Sequence, residues 1–174
     1  MKKLIILLAT SLYTFTLLAQ DGKIDIVKKG DQIPAFTLSS NINGNIDSKE
    51  LEGKIVLINI FATWCDPCQV ELAEIKKDLW PKYKDNPNFV MLTIGREHTD
   101  EELMEYNKKK EFTFPLYPDP KRDFTSKFAT QNIPRSYLVD EKGEIIYMSV
   151  GFNEKDFKSM MKLIDEKLSE ISVK

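Results

Sequence analysis

Ile55-Val56-Leu57-Ile58-Asn59-Ile60-Phe61-Ala62-Thr63-Trp64-Cys65-Asp66-Pro67-Cys68 reads as a buried strand that runs straight into a pair of cysteines. The run over 55–61 is apolar except for Asn59, and it is too short for a helix that buries itself. Cys65 and Cys68 are the only cysteines in the chain. Two residues between them, at the start of a helix, let the sulfurs reach bonding distance while one stays open to attack, so thiol–disulfide exchange is the leading chemistry. Pro67 suits the first turn of that helix, where its missing N–H is not needed. The first cysteine caps the helix, where backbone N–H groups and the dipole stabilise a thiolate, which makes Cys65 the nucleophile and Cys68 the resolving thiol. Asp66 sets a negative charge beside Cys65, opposes that stabilisation and pushes the pair toward the reducing end of the scale.

Downstream, Leu72, Ile75, Leu79 and Tyr83 recur at helical spacing, and Pro81 predicts a kink or an end near Trp80. A second buried strand is expected over 89–94. Thr99 and Glu102 form a capping-box signature ahead of Leu103 and Tyr106. Pro115, Pro118 and Pro120 read as a proline-rich link into a short helix through Phe124 and Phe128. Strands over 136–139 and 145–150 are joined by the turn Asp140-Glu141-Lys142-Gly143, and Phe157, Met161, Ile164, Leu168 and Ile171 mark a last amphipathic helix. Upstream, residues 35–39 alternate, Asn43-Gly44 predicts a two-residue hairpin turn, and 51–54 turn the chain into the first buried strand. The order implies an α/β fold: a mixed central sheet flanked by helices on both faces, with an added N-terminal hairpin.

The N-terminus bounds the compartment. Lys2 and Lys3 precede sixteen uncharged residues, 4–19, which read as a secretory signal with a cut before Gln20. No cysteine follows that cut, which argues against a lipid anchor. An uncleaved anchor is the alternative, since sixteen residues fall short of the roughly 20 needed to span a bilayer but not by much. Residues 1–19 then form the signal or anchor, 20–29 a polar lead-in and 30–174 one domain. Losing 1–19 leaves 155 of 174 residues and removes two of the 25 basic residues, so 23 stand against 27 acids, a balance of −4. That balance lacks the basic footprint of a nucleic-acid binder. A structural zinc site needs four ligands, and two cysteines with a single histidine do not supply them.

The Trp64–Cys68 motif after a buried strand, with Ile133-Pro134 opening a later one, resembles the thioredoxin fold. The lead-in over 30–38, Gly53-Lys54, Ala62-Thr63-Trp64-Cys65 and the stretch from Tyr137 to Gly143 resemble the TlpA/ResA-like extracytoplasmic thiol-disulfide oxidoreductases, which share the redoxin (AhpC-TSA-like) group with the peroxiredoxins. The resemblance implies a cis bond before Pro134, which lies against the disulfide, and an Ile133 backbone that pairs with a substrate strand. It implies that Glu71, one turn past Cys68, relays a proton to or from that thiol, the alternative being a residue of a solvated helix face. Cytoplasmic thioredoxins carry their buried acid on the strand instead, at the position of Asn59, and Ala73 stands where the family commonly has a helix-kinking proline. It further implies a periplasmic or otherwise extracytoplasmic location and clients among disulfide-containing exported proteins, such as apocytochrome c. Electrons would come from a membrane thiol carrier, with no cofactor.

Three residues keep open readings. Trp64 is either an exposed aromatic platform for substrate or a core residue. Arg135 stabilises a thiolate, grips an acidic substrate segment or points into solvent. His98, the only histidine, falls in the loop after strand 89–94, on the edge of the sheet expected to carry the cysteines, and is either catalytic or an ordinary loop residue. Two other functions compete: a peroxiredoxin-like peroxidase, which would consume peroxide, and a redox-inactive binding module, in which replacing Cys68 by Ser would trap no client.

Overall fold

The computed structural model describes residues 24–172. The expected signal or anchor over 1–19 and the start of the lead-in lie outside the described residues. Among the described residues no helix is long and apolar enough to cross a membrane.

A hairpin of β1 (Thr37–Ser40) and β2 (Gly44–Asp47) leads into β3 (Ile55–Phe61), α1 (Asp66–Glu74), α2 (Trp80–Tyr83), β4 (Phe89–Arg96) and α3 (Asp100–Lys110). After these come β5 (Leu116–Asp119), β6 (Arg135–Val139), β7 (Ile145–Val150) and α4 (Glu154–Ser172). The central sheet has the order β5-β4-β3-β6-β7, with β3, β4 and β5 parallel and β6 antiparallel to both β3 and β7. Parallel β3 and β4 end on the same edge, so the cysteine loop after β3 and the His98 loop after β4 are neighbours.

Every residue of β3 is buried, as a central strand covered on both sides requires. Its alternation divides the core. Ile55, Leu57 and Phe61 face Leu72, Ile75 and Leu79 of the cysteine helix, together with Phe157 and Ile164 of α4. Val56, Ile58 and Ile60 face Phe36, Leu51, Phe124 and Phe128. Each of these fully buried side chains contributes about 1.5–3 kcal/mol relative to exposure. The helical cover is unequal: the long helices pack on the first face, while the second is closed by the hairpin and by short 3-10 turns over Ser48–Leu51 and Thr125–Lys127.

Three local expectations change. Pro81 does not end the helix, because a π turn over Ile75–Leu79 delivers the chain to α2 with Pro81 in the first turn, where it needs no N–H and its ring meets a widened helix. The Asn43-Gly44 pair is not a two-residue turn: Ser40 pairs with Gly44 across a three-residue loop, and Gly44 takes φ 76°, which only glycine adopts cheaply. The proline-rich link contains β5, an edge strand beside β4, where Pro118 removes a donor the interior of a sheet could not lose. The capping box at Thr99 is formed in both directions, with Thr99 Oγ1 accepting from Glu102 N at 3.3 Å and Glu102 Oε2 from Thr99 N at 2.9 Å.

Candidate active site

Cys65 occupies the N-cap of α1 in extended conformation and accepts a hydrogen bond on Sγ from Cys68 N at 3.3 Å. It is disulfide-bonded to Cys68, with the Cα atoms 5.3 Å apart. Cys68 is fully buried, and Cys65 retains 6% of its surface, less than an open nucleophile, because the bridge folds it against the first turn of α1. Exposure therefore distinguishes the two residues by a narrow margin, in favour of Cys65. Trp64 is 61% exposed and is thus not a core residue; it stands beside the bridge as a large apolar surface.

Glu71 projects from the inner face of α1, one turn beyond Cys68, and is buried between α1, β3 and β6. Ser136 Oγ donates to its Oε1 at 2.9 Å, and Asn59 Nδ2 donates to its Oε2 at 2.8 Å. Asn59 Nδ2 also reaches Ser136 Oγ at 3.0 Å, so the two donors brace one another. Burial pushes the Glu71 carboxyl up to about 7, with the Ser136 and Asn59 hydrogen bonds restraining the rise. A carboxyl that titrates near neutrality beneath a buried thiol is matched to accepting and returning a proton. Ser136 carried no sequence signal of its own; it meets Asn59 because β3 and β6 pair in that register. Asn59 was the visible clue, as the single polar residue of β3.

The Ile133–Pro134 bond is cis, and β6 begins at the next residue. Arg135 pairs with Ile60, which sets Pro134 at the end of the sheet from which β3 enters the cysteine loop. Ile133 is half-buried and packs against both halves of the core. Arg135 needs correction. It is 1% exposed, and strand alternation turns it to the face opposite Ser136 and Glu71. There Nε donates at 2.9 Å to the carbonyls of Gln131 and Asn132, and Nη1 forms an ion pair with Asp25. It does not point into solvent, and these contacts tie it to the loop that carries Pro134.

A second set of contacts surrounds the approach to Cys65. Thr63 N donates to His98 Nε2 at 3.0 Å. Gln69 Nε2 donates to the carbonyls of Ala62 and Thr63 at 3.3 and 3.2 Å, and Tyr106 of α3 donates to Gln69 Oε1 at 2.6 Å. Gln69 and Tyr106 were not among the sequence candidates, since neither residue type signals a role at those positions. Among the described residues no group of three or more His, Cys, Asp or Glu side chains is arranged to hold a metal ion.

Residues 28–164 match the family model Redoxin. The chain belongs to the Redoxin family. Among curated relatives of this redoxin, the thiol-disulfide oxidoreductase ResA of Bacillus cereus is 26% identical over 157 residues, covering 88% of either chain. The thioredoxin-like protein YneN of Bacillus subtilis is 29% identical over 140 residues, covering 80% of each. A solution structure from Bacteroides thetaiotaomicron, of a candidate protein disulfide isomerase, superposes with a TM-score of 0.81 at 33% identity, over 85% of this chain and 94% of that one. With a thioredoxin fold and a bridged Cys65–Cys68 pair, this redoxin is a protein-disulfide oxidoreductase of the thioredoxin superfamily.

Proposed function

We propose that the protein is an extracytoplasmic reductase of disulfides in exported proteins. The observation that carries this reading is the buried Glu71 carboxyl, clamped by Asn59 and Ser136 one turn beyond Cys68. In the reduced enzyme the Cys65 thiolate attacks one sulfur of a client disulfide, forming a mixed disulfide and releasing the other sulfur as a thiolate. Cys68 gives its proton to Glu71 and attacks Cys65 Sγ, which closes the Cys65–Cys68 bond and frees the second client thiolate. Two electrons pass to the client, and a membrane thiol carrier restores the dithiol. The Ile133 backbone before cis-Pro134 pairs with the client strand, and exposed Trp64 contacts it beside the bridge.

The reducing direction follows from charge. Asp66 lies in the first turn of α1 beside Cys65, and Glu71 lies beneath Cys68, so both acids disfavour the thiolates of the reduced form. Residues 1–19 serve as the export signal, and apocytochrome c is one client of suitable chemistry. Equilibration against redox buffers tests the direction: a potential well below the value of about −180 mV typical of protein disulfide isomerase is expected, and a higher one overturns it. Cys68→Ser tests the clients, since it should accumulate mixed disulfides with exported proteins through Cys65, and an empty trap overturns the client assignment and favours the redox-inactive binding module.

A further inference from the structure

We infer that His98 is a positioning residue for disulfide exchange: a neutral imidazole whose Nε2 lone pair holds the Thr63 amide and thereby fixes the loop that presents Trp64 and Cys65. The inference rests on the oxidoreductase reading of the site and adds to it a residue outside the cysteine motif. His98 is only 7% exposed and stands in the loop that follows β4, with the neighbouring Glu97 in left-handed conformation at φ 63°. Its contact with Thr63 joins two loops 35 residues apart in sequence.

The donor decides the tautomer. An amide N–H can only donate, so Nε2 must accept and the ring proton resides on Nδ1. Nδ1 faces Glu102 Oε2 at 3.5 Å, and that same oxygen accepts the Thr99 amide in the capping box of α3. The imidazole is therefore held between the N-terminus of α3 and the loop before Cys65.

The Thr63 peptide is fixed from both sides. Its N–H goes to His98 and its C=O to Gln69, whose own carbonyl oxygen is held by Tyr106. The preceding Ala62 carbonyl accepts from Cys65 N at 3.2 Å as well as from Gln69. Neither sulfur touches His98 in these contacts, so the residue acts through the loop and not on the reacting atoms. Without an acceptor at Nε2, the Thr63 amide loses its partner and the loop is freed just where an incoming sulfur must align with Cys65.

Nitrogen NMR of the intact oxidised protein reads the tautomer directly. Nε2 should be unprotonated and coupled across the hydrogen bond to the Thr63 amide; a proton on Nε2, or the absence of that coupling, overturns the inference. Two substitutions test its consequence for exchange. His98→Leu removes the acceptor and should slow reduction of an insulin disulfide by about fivefold or more, chiefly in kcat, while His98→Gln, which can place Oε1 near the Nε2 position, should recover most of the rate. A His98→Leu enzyme as fast as wild type, or a His98→Gln enzyme as slow as His98→Leu, overturns it too. A wild-type protein unable to reduce insulin at all would count against the functional reading, while the NMR result would still decide the state of His98.

Discussion

The two faces of the central sheet are closed in different ways. The face under α1 and α4 carries a polar row, Thr93, Asn59 and Ser136, at matching positions on three adjacent strands, with Glu71 inserted from α1. Among the described residues Asn59 Oδ1 and Thr93 Oγ1 in that row have no hydrogen-bond partner, which costs about 1–3 kcal/mol each if left dry. The opposite face carries the buried Arg135 with its Asp25 ion pair but is otherwise closed by aromatic rings: Phe124 and Phe128 stack at 4.8 Å, Phe36 meets Phe124 edge-on at 4.8 Å, and Tyr137 lies 5.1 Å from Phe128. One side of the sheet gives up stability to bury a carboxyl and its polar neighbours, and the other supplies the packing that tolerates this.

The bluntest way to break the contrast is to remove the chemistry from the polar face. Cys65→Ser should reduce disulfide exchange by about 1,000-fold or more, measured with insulin and dithiothreitol, while circular dichroism shows the fold retained. The reverse experiment attacks the aromatic face. Phe128→Ala leaves a cavity among Phe36, Phe124 and Tyr137 and should lower unfolding stability by about 3–5 kcal/mol in urea titrations, with the exchange rate of the folded fraction unchanged.

Acid titration sharpens the comparison further. Glu71 ionises near its ordinary value of 4.5 in the unfolded chain and at about 7 in the folded one, so between these values the folded state holds a proton that the unfolded state has lost. This contribution is fully present below about 4.5, declines as the pH rises to about 7 and is flat above, a change on the order of 3 kcal/mol. Glu71→Gln should erase that slope from chemical denaturation curves and flatten the pH dependence of exchange around neutrality. The smallest expected effect is Ser136→Ala, which removes one donor from the ionised carboxylate and should raise its titration by about one unit in carbon NMR.

The same division explains what the residues disclosed in advance. Elements whose burial alternates or is complete, such as β3, β4 and α4, were legible because their apolar spacing is dictated by the sheet and helix periods. β5 was not, since Pro115, Pro118 and Pro120 look like a linker until β4 supplies the pairing that makes an edge strand of them. Within the site, the positions of Cys65, Cys68 and Glu71 are a matter of helix turns and can be counted along one element. Arg135, Ser136 and His98 depend on which strand or loop lies opposite, and no local pattern contains that. Arg135 shows the difficulty most plainly: a cation in a short strand suggests solvent or ligand, yet here it is sealed in by Asp25, a residue 110 positions away.

The docking of the lead-in has a practical side. Ile26 N and Val27 N donate to Phe128 O, Thr130 N donates to Ile24 O, and Asp25 pairs with Arg135, so residues 24–27 clasp the loop that ends in Pro134. A truncated version begun at Gly30, where the domain was expected to start, would strip the counterion from a sealed guanidinium and loosen the loop that carries cis-Pro134. Cloning boundaries and purification tags for this protein belong upstream of Ile24.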